Sequence, residues 1–162
     1  MTHITLIFFS LLLGGLLISL SYIDLKYFRL PNVFTFALIA AGLAHAYLLN
    51  LPLIDHLIGA AIGYLAFVAI EQSFLKLRGY PGLGRGDAKL LAGGGAWVGW
   101  LGLPYIVLLS SLAGLSVMFI GLLFGRFKQS DLKKAAIPFG PFLSAAIALT
   151  WFALIVWPRL PS

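Results

Sequence analysis

The 162 residues of this chain hold five carboxylates: Asp24, Asp55, Glu71, Asp87 and Asp131. Two of them have a setting suited to acid–base chemistry. Asp24 follows the first long apolar run, and Asp87 precedes a later one in the stretch "GLGRGDAKLL", Gly82 to Leu91. Both fall at span ends on the same side of a membrane, so two acids distant in sequence can meet at one depth. Their helix-dipole settings differ. A carboxylate at a helix N-terminus is favoured as the anion, whereas one at a C-terminus faces the negative end. Asp87 is therefore expected to be the readier base and Asp24 the readier acid, a division of labour that hydrolysis by paired carboxylates uses. Each has a plainer reading: Asp87 as a helix N-cap, and Asp24 as a surface aspartate beside Lys26 and Arg29.

Other chemistries lack their residues. Cysteine is absent, which removes disulfides, thiol nucleophiles and cysteine-ligated metal. No H-E-x-x-H, G-x-S-x-G or G-x-x-x-x-G-K-[ST] pattern occurs. His45 is expected inside the bundle, with His3 and His56 peripheral. No metal or cofactor is expected, and by elimination hydrolytic chemistry must rest on carboxylates. Asp55 reads as solvated in an outer loop, and Asp131 as a surface ion pair among Lys128, Lys133 and Lys134. Glu71, inside an apolar run, is retained as a candidate because intramembrane acids tend to be functional. Gly82, Gly84 and Gly86 let backbone approach a substrate closely before a helix that begins at Asp87. For Gly93, Gly94 and Gly95, close helix packing is the simpler reading.

The elements that must position these residues are membrane helices. The chain is 61% hydrophobic and 10% charged, with a mean hydropathy of +1.03, beyond what a soluble core of this size needs. Apolar runs predict an all-α polytopic membrane protein with six spans near 4–22, 33–49, 57–75, 88–101, 105–124 and 138–157, forming one domain over residues 1–162. Met1-Thr2-His3 supplies no basic n-region, so the first run reads as a retained helix. Ten of the eleven Lys and Arg lie in or beside the segments after spans 1, 3 and 5, and none between Asn50 and His56 or between Leu101 and Pro104. The positive-inside rule then puts both termini outside the cytoplasm and both aspartates on the cytoplasmic side. The same distribution explains the net charge of +6 through the lipid bilayer rather than nucleic acid. The fourth span is short: about 14 residues at about 1.5 Å each cover about 21 Å of a core roughly 30 Å thick. Short, glycine-broken segments point to a protein-lined cavity.

Three signatures now stand in order. They are "DLKYFRLPN" (Asp24 to Asn32), "GLGRGDAKLLAGGGAWVGW" (Gly82 to Trp100) and "IPFGPFLSAA" (Ile137 to Ala146). With them the chain resembles the type IV prepilin peptidases, of the GxGD group of membrane aspartyl proteases, with Leu83 where Met is common. The resemblance implies that Asp24 and Asp87 form the catalytic pair. It also implies that Gly84, Gly86, Lys89 and the segment Pro138, Phe139, Gly140 and Pro141 position substrate. The substrate would be the helix of a prepilin or pseudopilin, cut after a glycine that ends a short basic leader, at the cytoplasmic face of the bacterial inner membrane. Longer relatives carry an N-terminal region with paired, zinc-binding cysteines and also N-methylate the new amino terminus. This chain resembles a compact form, similar to peptidases serving Flp or tight-adherence pili, for which methyltransferase activity is not expected. A small transporter component or a noncatalytic secretion-assembly subunit are the competing readings. No sequence feature fixes an oligomeric state.

Overall fold

A computed structural model describes residues 2–79, 84–124 and 138–156. Gly82, Leu83, Ile137, Asp131 and the basic cluster from Arg126 to Lys134 lie outside the described residues. Among the described residues the fold is all α, with six helices: α1 (Thr2–Tyr27), α2 (Asn32–Leu48), α3 (Leu53–Arg78), α4 (Arg85–Val98), α5 (Leu103–Leu123) and α6 (Gly140–Trp151). A short 3₁₀ turn joins α4 to α5, and a π turn extends α6. Three stretches are long and apolar enough to cross a membrane, Ile4–Tyr27, Leu53–Leu77 and Trp100–Leu123, which makes this a multi-pass membrane protein. The helices at Asn32–Leu48 and Gly140–Ile155 are shorter and apolar.

The helix ends follow local chemistry. α2, α5 and α6 start on or beside Pro31, Pro104 and Pro141, where a missing N–H costs nothing. α3 ends on Gly79, whose left-handed backbone (φ 75°) lets its N–H close on the Leu75 carbonyl. α1 ends with Phe28 at φ 52°, an uncommon conformation for a non-glycine residue, its N–H donating to the Asp24 carbonyl at 2.9 Å. The turn brings Leu30 and Pro31 round into α2.

The centre of the bundle is α4, with α2, α3, α5 and α6 around it. Every residue from Leu90 to Gly99 is buried, which explains how a helix of 14 residues can be so short: protein rather than lipid surrounds it. Its glycine triplet faces three neighbours. A Cβ on Gly93 would strike Leu38 of α2, one on Gly94 would lie 2.9 Å from Ile147 of α6, and one on Gly95 would overlap the Gly59 carbonyl of α3. Polar anchors add to this. Trp97 Nε1 donates to the Leu38 carbonyl at 2.9 Å. His56 Nδ1 lies 2.9 Å from the Ala96 carbonyl, in the last turn of α4, where helix carbonyls lack intrahelical partners. His56 is thus buried, at 3% exposure, and not peripheral, because α3 begins at Leu53 and carries it inward. Asp55 likewise belongs to the first turn of α3 rather than to a loop.

Candidate active site

The buried stripe of α1 runs Leu6, Phe9, Leu13, Leu17, Leu20, Asp24. The steps of three and four residues are those of one helix face, so the period that turns the leucines inward also turns the carboxylate inward. Asp24 is 6% exposed and lies within α1, not beyond its end. A surface aspartate is thereby ruled out. Its Oδ2 accepts a 2.9 Å hydrogen bond from the Gly140 amide at the start of α6, a bond that an ionised carboxylate accepts most strongly.

Asp87 enters from α4. Gly84 is the N-cap residue, in extended conformation, which makes Asp87 the third helical residue rather than the cap itself. Its own N–H donates to the Gly84 carbonyl at 3.0 Å, and its carboxylate takes a hydrogen bond from the Gly84 backbone, the half of a capping box that an acid at the third helical position supplies. A Cβ on Gly84 would lie 3.3 Å from Asp87 Oδ2. Gly86 is tight for a different reason, since a Cβ there would lie 3.0 Å from the Leu30 Cβ. Lys89, one turn on, donates from Nζ to Asn32 Oδ1 at 2.6 Å and lies 5.9 Å from the Phe36 ring centroid. The segment after α1 and the start of α4 are therefore joined at two points.

Between them lies a cleft of about 330 Å³ lined by both aspartates, Gly84, Gly86 and Lys89, together with Phe28, Arg29, Leu30 and Arg85. Burial, and next the charge of Asp24, push the Asp87 carboxyl up to about 6 against the opposing Gly84 hydrogen bond. The dipole at the α4 N-terminus, expected to favour the Asp87 anion, is opposed there by desolvation and a neighbouring anion. The pair can hold one proton up to pH about 6, titrating as a unit. One carboxylic acid beside one carboxylate can activate water and protonate a leaving group.

The remaining expected residues are spread around this cleft. Gly140 sits behind it, reaching it through Asp24. Pro138 and Phe139 precede α6; Phe139 caps it and its ring centroid lies 6.4 Å from that of Phe142. Pro141 faces a different groove. Glu71 does not line the cleft; its Oε1 meets Nε of Arg85, which does, at 3.4 Å. Among the described residues no three His, Asp or Glu side chains come together as a metal-ligand set. Phe28, Arg29, Asn32 and the Gly140 amide were not singled out from sequence. Phe28 and Arg29 lie between the aspartate and the Leu-Pro that carry the first signature, and a backbone donor leaves no side-chain signal.

An all-helical membrane protein with two inward-facing aspartates on one cleft is the class that fold and site define. The family model for the type IV leader peptidase family matches residues 11–119, and the chain belongs to that family. It is 44% identical over 149 residues to a prepilin leader peptidase/N-methyltransferase of Aeromonas salmonicida (strain A449), covering 88% of this chain and 48% of that one. A protein of the same description from Pseudomonas aeruginosa is 41% identical over 144 residues, 87% of this chain and 48% of the relative. One from Burkholderia pseudomallei (strain K96243) is 40% identical over 141 residues, 84% and 43% respectively. The chain spans about half the length of the curated relatives it matches. No solved structure matches it.

Proposed function

We propose that this chain is a membrane aspartyl endopeptidase that removes the short basic leader of type IV-like prepilins or pseudopilins, cutting after a glycine at the cytoplasmic face of the bacterial inner membrane. The observation that carries the reading is the shared cleft of Asp24 and Asp87, formed by two signatures of a leader-peptidase family. Asp24 is the general base. It takes a proton from water as the oxygen attacks the scissile carbonyl, and Asp87 donates its proton to the departing amine, the reverse of the roles expected from helix dipoles. The pair titrates as a unit. Gly84 and Gly86 keep the cleft wall at backbone width, Lys89 fixes it to Asn32, and the Pro138 to Pro141 segment supplies the amide that orients Asp24.

Six spans with both ends outside the cytoplasm remain part of this reading, supported by the charge alternation of the loops. Doubt about methyltransferase activity also remains a proposal, since the relatives' names pair the two activities. The test is co-expression with a prepilin, comparing wild type with Asp24→Asn and Asp87→Asn by substrate mobility and new amino terminus. Cleavage after the leader glycine that each substitution abolishes is the expected result. Cleavage that survives either one would remove that aspartate from the chemistry.

A further inference from the structure

Among the described residues four take a positive φ, one after each of α1 to α4: Phe28 (52°), Asn50 (53°), Gly79 (75°) and Gly99 (76°). Glycine and asparagine are the types that enter this region most readily. Phe28 is the exception. α1 and α3 end by the same device, an N–H closing on the carbonyl four residues back, Phe28 on Asp24 and Gly79 on Leu75, each at 2.9 Å. The turn itself therefore does not require a phenyl ring, and a glycine there would form it with less strain.

Nor does the core require one. Phe28 is 56% exposed, so burial within the chain does not offset the strained backbone. Strain of this kind gathers at functional sites, and Phe28 is the one aromatic among the described residues that line the cleft of Asp24 and Asp87. The bond from its N–H to the Asp24 carbonyl ties the ring's position to the backbone of that aspartate. Gly84 and Gly86 line the same cleft without side chains. At about 330 Å³ the cleft is at the small end for ligand sites, which span roughly 300–1,000 Å³. A phenyl ring on its wall takes room that a substrate side chain would use.

We infer that Phe28 is a specificity-determining residue, whose ring narrows the cleft beside Asp24 so that a residue without a side chain is favoured next to the scissile bond. This rests on the leader-peptidase reading and gives the cut after glycine a physical origin. The left-handed backbone lowers stability and places the ring at the cleft.

The test separates ring from backbone. Phe28→Gly removes the ring and the strain, whereas Phe28→Ala removes the ring alone, so the detergent melting temperature should rise for the first and not for the second. Both should nevertheless shift selectivity the same way. The kcat/KM ratio for a prepilin with alanine before the cut, against one with glycine, should rise about tenfold over wild type in each, the low end of what one carbon is worth in a pocket. Phe28→Tyr, which keeps a ring, should bring the ratio back toward that of wild type. Tyr27→Ala, exposed and outside the cleft lining, should not move it. If wild type cleaves and the ratio is the same in both ringless variants as in wild type, the ring does not meet substrate and this inference falls alone. A ratio that moves in opposite directions for the two, following their melting temperatures, would reduce Phe28 to a helix end and also overturn it. If folded wild type cleaves no prepilin, the peptidase reading and this inference fall together.

Discussion

Gly140 and Asp24, 116 positions apart in sequence, are joined by a 2.9 Å hydrogen bond from amide to carboxylate, and there is no room between them for a methyl group. A Cβ on Gly140 would lie 2.6 Å from Oδ2 and 3.0 Å from Cγ of Asp24. The carboxylate of α1 is thus held by the first residue of α6, tying two of the three sequence signatures together at the candidate site.

Gly140→Ala should therefore act on Asp24 more than on the fold. The methyl group must displace a carboxyl, and misplacing a reacting group by about 1 Å can cost about 10²-fold in rate. A kcat loss of at least tenfold, with KM and detergent melting temperature little changed, is the expected pattern. A melting temperature that drops along with kcat would show that the contact serves packing instead.

The Asp87 carboxyl, pushed up to about 6 by burial and by Asp24, sets a pH limit. Hydrolysis by the pair needs one proton for the leaving amine, and that proton is lost as pH rises through about 6. The kcat/KM profile, which reports the free enzyme, should fall on the alkaline side of that value, approaching tenfold per pH unit. A flat profile from pH 5 to 8 would separate Asp87 from the rate.

The same shift has a consequence for stability that does not depend on catalysis. The folded value lies above the ordinary 3.8, so the folded state binds the proton more tightly than the unfolded one. The stability this contributes is complete below pH about 4 and is lost as pH rises through about 6. Asp87→Asn resembles the protonated form, and should melt higher than wild type at pH 8 and equal to it near pH 4. An equal difference at both pH values would exclude a titrating origin.

Much of this was legible in sequence because membrane chemistry is coarse. Six apolar runs foreshadow six helices, and the glycine triplet of α4 foreshadows close packing. What could not be read was direction. In a soluble helix the inward face stands out as apolar against polar, but α1 is apolar on every side, so the stripe ending at Asp24 has no contrast to reveal it. Helix ends were missed for a related reason: α1 and α3 continue past their apolar runs into polar residues, carrying Asp24 into a helix and His56 into the core. The raised Asp87 carboxyl could not be read either, because dipoles can be inferred from sequence position, while desolvation depends on neighbours that only the fold supplies.

The contact between Lys89 and Asn32 should matter for alignment. Nζ to Oδ1 at 2.6 Å ties the segment after Asp24 to the helix that carries Asp87, and such a bond contributes about 1 kcal/mol net. Asn32→Ala is expected to lower kcat several-fold with a small loss of stability, and Asn32→Asp, which keeps the acceptor, to restore most of it. No difference between the two variants would show that the bond does not position the site.

Gly95 offers the clearest test of the central position of α4. Its added Cβ would fall on the Gly59 carbonyl, and one on Gly59 would lie 2.6 Å from the Gly95 carbonyl oxygen, so the two backbones touch. Neither side has a flexible side chain that could yield. Gly95→Ala must push α3 and α4 apart, and overpacking of this kind costs about 1–3 kcal/mol. Gly15→Ala, on α1, is the control, since a Cβ there meets nothing within 4 Å, and Ala favours a helix by roughly 1 kcal/mol over Gly. The detergent melting temperature should fall for Gly95→Ala and hold or rise for Gly15→Ala. Equal melting of the two variants would mean that α3 and α4 do not meet backbone to backbone.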